Sequence, residues 1–163
     1  MSKGPKITVA GAGALGLTTA LALADAGARV TVFDPAEPGD NASGVAAGML
    51  APAFEAVLDA SAAPHLALLM AARNLWPALE ARIGLSVDRA GAVAVGDDEY
   101  LARIDGGLRS QGLHPTELER AALAGLAPDL ADGWRRGLLV REDWRIEAGA
   151  GLAALRRAAL EAG

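Results

Sequence analysis

One segment near the start of the chain, ITVAGAGALGLTTALALADAGARVTVFD at residues 7–34, constrains the fold more than any other. It opens with a β-branched run, Ile7–Val9, and passes through closely spaced glycines into an apolar stretch of helical length. A second β-branched run, Val30–Phe33, then ends at Asp34. This order predicts a strand, a glycine-rich turn, a helix and a second strand, which together form a parallel βαβ unit.

Each glycine of the turn has a separate physical role in such a unit. Gly11 permits the tight turn, Gly13 lets the backbone approach a pyrophosphate, and Gly16 lets the helix pack closely on the strand. The free N–H groups at the positive end of the helix dipole favour a bound diphosphate. Asp34 is placed to accept hydrogen bonds from a ribose hydroxyl, and its charge disfavours the 2′-phosphate of NADP. The segment therefore predicts a dinucleotide site for FAD or NAD.

The same segment also has features of a secretory signal, because Lys3 and Lys6 precede an uncharged apolar run. Glycines within that run weaken a helical apolar core, and the strand that ends at Asp34 completes the nucleotide unit without cleavage. We therefore expect neither a signal peptide nor a membrane span here.

Composition narrows the class of protein. The 163 residues suffice for one domain, or parts of two, with a real core. A formal net charge of −5 argues against a nucleic-acid partner. The absence of cysteine excludes disulfides, thiolate catalysis and cysteine-based metal sites, and the only histidines, His65 and His114, lie far apart. We expect a cytoplasmic protein without a metal centre.

A second unusual segment, NASGVAAGMLAP from Asn41 to Pro52, is composed mainly of small uncharged residues. Such a run predicts a backbone brought close to something flat and bulky, since larger side chains would obstruct the approach.

The remaining chain carries weaker signals for local structure. Pro64 to Arg82 has helical spacing and is expected to bend or divide at Pro77. Further along, the patterns predict a strand at 90–95, a helix at 99–111, a helix at 115–124 capped by Thr116, a loop at 125–132, one or two strands at 137–146, and a helix at 150–162 ending at Gly163. We expect 97–99 and 141–143 to be solvated charge clusters, and Trp76, Trp134 and Trp144 to be buried packing residues.

The fold class that follows is α/β, with a Rossmann-like βαβ unit for a nucleotide at its start. The expected divisions are residues 1–55 for the nucleotide unit, 56–146 for a mixed segment of helices and strands, and 147–163 for a final helix. Two parallel strands make a poor sheet, and a helix ending in glycine normally leads to a third strand. We therefore expect an incomplete fold that belongs to a larger protein.

The opening unit and the run Ala46–Leu50 together resemble the D-amino-acid oxidase and glycine oxidase family of flavoproteins, in particular its members associated with thiamine biosynthesis. The segment at 137–163 also resembles the family's strand and returning helix, so the likeness extends over essentially the whole chain. By this resemblance the fold is a Rossmann-like FAD-binding βαβ unit at 1–55 plus part of an α+β substrate domain at 56–146, and the helix at 147–163 returns to the nucleotide unit. FAD is then the cofactor. Its pyrophosphate is expected at Gly11, Gly13, Ala14, Leu15 and Gly16, its adenosine ribose at Asp34 and Pro35, its diphosphate also along Ala42 and Ser43, and its isoalloxazine ring against Ala47, Gly48 and Met49.

The resemblance is not complete. Asn41 and Ala42 stand where relatives often carry a basic residue and a hydroxyl, so one diphosphate contact is expected to be lost. The family's arginine for the substrate carboxylate and its remaining flavin-binding strands lie in a half that this sequence does not contain. No catalytic residue is therefore nominated, since the flavin itself is the reactive group.

Three hypotheses of function follow. The first is an FAD-dependent oxidase of glycine or another small amino acid or amine, with molecular oxygen as acceptor and a possible homo-oligomeric state. The second is an NAD-dependent enzyme using the same glycine turn, which the small-residue run 41–52 disfavours. The third is a non-catalytic fragment or split subunit that needs a carboxyl-terminal half.

Overall fold

A computed structural model describes residues 4–162, so the glycine predicted to end the last helix, Gly163, lies outside the described residues. The helices and strands follow in the order β1 (Lys6–Ala10), α1 (Ala14–Asp25), β2 (Arg29–Phe33), β3 (Met49–Leu50), α2 (Pro52–Leu58), a 3₁₀ turn (Ala63–His65), α3 (Leu66–Asn74), α4 (Trp76–Ile83), β4 (Ala92–Val95), α5 (Asp98–Ser110), β5 (Thr116–Glu119), α6 (Arg120–Leu126), α7 (Pro128–Ala131), β6 (Arg136–Val140), β7 (Trp144–Arg145) and α8 (Ala148–Ala162). Within residues 4–162 no helix is long and apolar enough to cross a membrane.

The chain divides into two compact units. Within the described residues, the first unit comprises 4–48, 76–87 and 146–162, and the second comprises 49–75 and 88–145. The segment 76–87 thus groups with the nucleotide unit, whereas the sequence interpretation placed it within 56–146. The functional assignment of the three predicted segments stays a prediction.

The first unit is built on the predicted βαβ arrangement. Strands β1 and β2 pair in parallel from Lys6↔Arg29 to Ala10↔Phe33, and α1 connects them. Buried residues of α1 and α8 form one apolar cluster, which Ile83 of α4 completes. The cluster consists of Leu17, Leu21, Ile83, Leu152, Ala154, Leu155 and Ala158. The α/β class and the Rossmann-like unit are confirmed.

The sheet of the first unit is small. In the part of the chain that the structure describes, β1 and β2 form a sheet of two strands only. At the end of β2, Phe33 is 63% exposed. Two strands without further partners leave polar backbone edges and apolar side chains open, which makes such a sheet marginal by itself.

The second unit contains a three-stranded antiparallel sheet in the order β4-β6-β5. The central strand, β6, buries Leu138, Leu139 and Val140. Leu138 and Val140 belong to a core formed with α2 and α5, whereas Leu139 belongs to a smaller cluster with Leu118 and Leu123. Because consecutive side chains of a strand point to opposite faces, β6 supports apolar packing on both sides of its sheet.

Two predictions between residues 115 and 132 are wrong. The predicted helix at 115–124 begins instead as β5, which pairs with β6 and buries Leu118, and the helix α6 starts only at Arg120. The predicted loop at 125–132 contains the end of α6 and the short helix α7. A threonine followed by glutamates is typical of a helix start, but pairing with a distant strand outweighed that local preference.

Other local predictions are confirmed. The helical segment divides near its proline, because α3 ends at Asn74 and α4 begins at Trp76, which places Pro77 in a first turn where no backbone N–H is needed. The helix α2, which the sequence analysis did not identify, begins with a proline, Pro52.

The predicted burial of the tryptophans is wrong: Trp76 and Trp144 are half-buried, and Trp134 is exposed.

Candidate cofactor site at the start of the first helix

The glycine turn between β1 and α1 has the geometry that its residue types predict. Gly11 has a φ of +102°, a backbone conformation that favours glycine, and its N–H donates to the carbonyl of Phe33 at 2.7 Å. A Cβ added to Gly16 would lie 2.0 Å from the carbonyl oxygen of Gly11. The first glycine therefore makes the turn, and the last lets the helix contact the turn directly.

Gly13 stands immediately before α1 and is the N-cap of this helix. A Cβ there would lie 3.0 Å from Oγ of Ser43, and this hydroxyl accepts a hydrogen bond from the N–H of Ala14 at 2.9 Å. The first turn of α1 carries no acidic side chain. The positive end of the helix therefore contacts a neutral hydroxyl and no acidic side chain of its own first turn, so this helix end can still attract an anion such as a phosphate.

Asp34, the acid predicted at the end of β2, faces this turn. Its Oδ2 accepts from the N–H of Ala12 at 2.6 Å and its Oδ1 accepts from the N–H of Ala36 at 2.8 Å. These two bonds, that of Ala12 first, lower the pKa of Asp34 below its ordinary value, so the carboxylate is charged at neutral pH. Each ionised oxygen offers about two lone pairs, so acceptor capacity remains for ribose hydroxyls.

The loop after Asp34 is folded tightly on itself. Gly39 has a φ of +91°, and a Cβ at Gly44 would lie 1.8 Å from the carbonyl oxygen of Gly39. Oδ1 of Asn41 accepts from the N–H of Gly44 at 3.0 Å. Sequence reasoning did not identify these contacts, although glycine and asparagine are both typical turn residues.

A cavity of about 850 Å³ lies in the first unit. Ala12, Asp34, Ala36, Asn41 and Gly44 line one part of it, and residues of α8 line another. Of the sequence-predicted cofactor residues, Asp34 lines this cavity. Its size is within the range of small-molecule sites, roughly 300–1,000 Å³.

Gly48 is required by the protein backbone itself. It has a φ of +74°, and an added Cβ would lie 2.1 Å from the carbonyl oxygen of Ile146. The N–H of Ile146 in turn donates to the carbonyl of Gly48 at 2.9 Å. A close backbone contact therefore requires glycine at this position, and the predicted contact of Gly48 with a flat cofactor ring stays a prediction.

The other sequence-predicted residues have different environments. Leu15, Pro35, Ala42 and Ala47 are exposed. Met49 is 47% exposed, belongs to the second unit and pairs with Arg145 through β3 and β7. Their contacts with a cofactor stay predictions.

Residues 6–163 match the protein family described as DAO, FAD dependent oxidoreductase. The chain belongs to this family. It is also 37% identical over 152 residues to a protein of Rhizobium etli described as a thiamine biosynthesis oxidoreductase, ThiO. That alignment covers 92% of this chain but only 44% of the relative, so the chain spans less than half of the relative's length.

Solved structures show the same relation. Glycine oxidase from Geobacillus kaustophilus superposes with a TM-score of 0.80 at 27% identity, covering 96% of this chain and 44% of that structure. Iminodiacetate oxidase from Chelativorans sp. BNC1 has a TM-score of 0.76 at 22% identity with the same coverage, which supports the fold.

FAD is the cofactor of this family, and the residues of the first unit fit it. The turn leaves no Cβ between Gly13 and the hydroxyl of Ser43, the start of α1 bears no carboxylate, and Asp34 keeps acceptor capacity beside a cavity. The glycine turn and the start of α1 suit a diphosphate, and Asp34 suits a ribose.

Proposed function

We propose that this chain is the FAD-binding portion of an oxidase that acts on the C–N bond of glycine or another small amino acid or amine, with molecular oxygen as acceptor. The observation that carries the proposal is the start of α1, where Gly13 adds no side chain, the hydroxyl of Ser43 accepts from the N–H of Ala14 and the charged Asp34 accepts from the N–H of Ala12. The relatives described as glycine oxidase and thiamine biosynthesis oxidoreductase support this choice of reaction class.

The site residues are assigned by the same proposal. The diphosphate binds along the glycine turn and the loop that carries Ser43, the ribose binds Asp34, and the ring lies against the small-residue run. The full set is Gly11, Gly13, Ala14, Leu15, Gly16, Asp34, Pro35, Ala42, Ser43, Ala47, Gly48 and Met49.

When bound, FAD supplies an acceptor for the hydride that leaves the substrate Cα. The residues of this chain have other tasks. The donors at the start of α1 neutralise the diphosphate, and the Asp34 carboxylate orients the ribose through charge-assisted hydrogen bonds. Asn41, at a position where the sequence resemblance expects a base, contributes no positive charge and is instead used to close its loop on Gly44. We assign no catalytic side chain in this part of the protein.

A second candidate is a non-catalytic FAD-binding fragment or split subunit that needs a carboxyl-terminal half. Two observations favour it: the chain spans 44% of the length of its relatives, and β1 and β2 form a two-stranded sheet by themselves within residues 4–162. A homo-oligomeric state and a cytoplasmic location stay proposals that rest on the sequence.

Purification and spectroscopy separate these candidates. The oxidase proposal predicts a protein with the visible absorption of bound flavin, which is bleached under nitrogen by glycine, sarcosine or D-proline and produces peroxide when air returns. Bound flavin without bleaching by any small amine supports the fragment, and rescue by a co-expressed carboxyl-terminal half confirms it. A colourless protein that binds NADH overturns both.

A further inference from the structure

The second unit contains one fully buried acid. Asp143 lies in the connection between β6 and β7, and its exposed fraction is 0%. The sequence interpretation placed 141–143 in a solvated cluster, and for Asp143 this is wrong. A buried carboxylate requires compensation, because loss of water destabilises its charged form.

The compensation comes from the start of helix α2. Oδ1 of Asp143 accepts from the N–H of Ala53 at 2.8 Å, and Oδ2 accepts from the N–H of Phe54 at 3.0 Å. The residue at the N-cap position, Ala51, has no side chain able to cap. Asp143, 90 residues away from Ala53, thus performs the capping function that an adjacent serine or aspartate usually performs.

This carboxylate joins two segments that are also joined by a strand pair. Strand β3 ends one residue before Ala51, and β7 begins directly after Asp143. The two strands pair antiparallel, with Met49 opposite Arg145 and Leu50 opposite Trp144. The segment that carries Met49 is therefore held at two successive points, first by the strand pair and then by the capped helix.

The β7 side of this connection is itself immobilised by arginines. The guanidinium carbons of Arg73 and Arg89 lie 4.5 Å and 4.9 Å from the ring centroid of Trp144. Nη1 of Arg73 also donates to the carbonyl oxygen of Glu142 at 2.6 Å. Cation–π contacts and this hydrogen bond therefore hold the residues on both sides of Asp143.

We propose that Asp143 is a positioning residue, which fixes the location of Met49 by holding the helix that follows it. The inference rests on the proposed function, in which Met49 contacts the flavin ring. A cap supplied by a neighbouring residue would stabilise α2 equally well, but it would not tie α2 to β7. Asp143 instead couples the strand pair and the helix start into one element, and a displaced cap displaces the methionine.

The test compares Asp143→Asn with Glu142→Gln in the protein loaded with FAD. The asparagine has the same shape but offers only one acceptor oxygen to the two N–H groups, whereas the glutamine removes a neighbouring charge and leaves the cap intact. Because the chain has three methionines, the Met49 methyl resonance is assigned with a Met49→Leu variant. Flavin reduction by glycine under nitrogen gives the limiting reduction rate and the apparent dissociation constant of glycine separately.

The proposal predicts that Asp143→Asn shifts the Met49 methyl resonance, shifts the flavin absorption band and lowers the limiting reduction rate about tenfold, while the apparent dissociation constant of glycine changes little. Glu142→Gln leaves all four unchanged. An unaltered Met49 resonance in a folded Asp143→Asn protein overturns the proposal. A shifted resonance with unaltered reduction rate also overturns it, since it shows that the cap serves stability alone.

If Asp143→Asn does not fold, Asp143→Glu replaces it, because this variant keeps both acceptor oxygens but adds one methylene between the backbone and the cap. The same shifts support the proposal, and their absence overturns it. The Met49 resonance is also recorded without FAD. Failure of the wild-type protein to bind or reduce flavin therefore contradicts the proposed function, whereas the positioning of Met49 is still decided by its resonance.

Discussion

The two units of this molecule obtain their geometry by different means. In the first, glycines at close sequence positions set the backbone of the turn, and a Cβ at Gly16 would lie only 2.0 Å from the carbonyl oxygen of Gly11. In the second, strands far apart in sequence pair around β6, and a buried carboxylate caps a helix 90 residues away. The backbone of a cofactor turn can therefore be determined by residues that are close in sequence, whereas the structure of the α+β unit depends on contacts between segments that are far apart in sequence.

The largest effect is expected when one methyl group is added to the glycine turn of the first unit. Gly16→Ala forces a Cβ against the backbone of Gly11, which cannot rotate away, so we expect the first unit to lose its structure at a cost above about 4 kcal/mol. Hydrogen exchange should show lost protection in α1, β1 and β2. The matched control is Gly106→Ala in α5, which meets open space and should stabilise its helix by about 0.5–1 kcal/mol. Equal behaviour of the two variants contradicts the account.

The corresponding test of the second unit removes part of its core. Leu108 of α5 is fully buried in the cluster that contains Ile104 and Val140. Leu108→Ala should reduce the free energy of unfolding by roughly 2–5 kcal/mol, because a cavity remains. Leu68→Ala, at an exposed position of α3, should change it by less than about 0.5 kcal/mol. Denaturant unfolding measures both, and equal losses would show that α5 does not anchor the core.

The buried acid gives the second unit a distinct pH dependence. Burial raises the pKa of Asp143 to about 6 from its ordinary value of 3.8, although the N–H groups of Ala53 and Phe54 oppose the change. Its contribution to the free energy of unfolding is therefore fully present below about pH 4 and is lost as the pH rises through 6. Relative to Asp143→Asn, the wild-type protein should gain roughly 1–3 kcal/mol between pH 7 and pH 4. A constant difference between the two proteins over this interval contradicts the assignment.

The smallest expected effect concerns an ordinary local cap in the second unit, which contrasts with the distant cap of α2. Asp97 precedes α5, and its Oδ1 accepts from the N–H of Tyr100 at 2.8 Å. Asp97→Ala should reduce the free energy of unfolding by about 1 kcal/mol. Glu99→Gln, which removes a nearby charge and keeps the cap, should have a smaller effect in the same thermal unfolding experiment.

Prediction from the sequence succeeded where one continuous segment carries the whole pattern. The strands around the glycine turn and the position of Asp34 were predicted because the spaced glycines, the apolar helix and the terminal acid together form one recognisable βαβ unit. Residues 116–119 were assigned wrongly because no such pattern connects them with their partner, β6, and because a threonine followed by glutamates is typical of a helix start.

One failure has a different physical reason. Asp143 was expected in solvent, because an acid beside another acid is typical of a surface, and only the folded chain brings the N–H groups of α2 to it. The contact of Gly48 with the backbone of Ile146 was likewise not foreseen, because Ile146 is remote in sequence.

The central claim, that the turn between β1 and α1 and the acid after β2 form an FAD site, is tested most directly by FAD affinity. Titration of flavin fluorescence should compare the wild-type protein with Asp34→Asn and with Asp40→Asn, an exposed acid of the same loop. We predict tight FAD binding for the wild type and for Asp40→Asn. Asp34→Asn should bind FAD at least about tenfold more weakly than the wild type, because one charge-assisted contact to the ribose is lost. Equal FAD affinity in all three proteins would contradict the account.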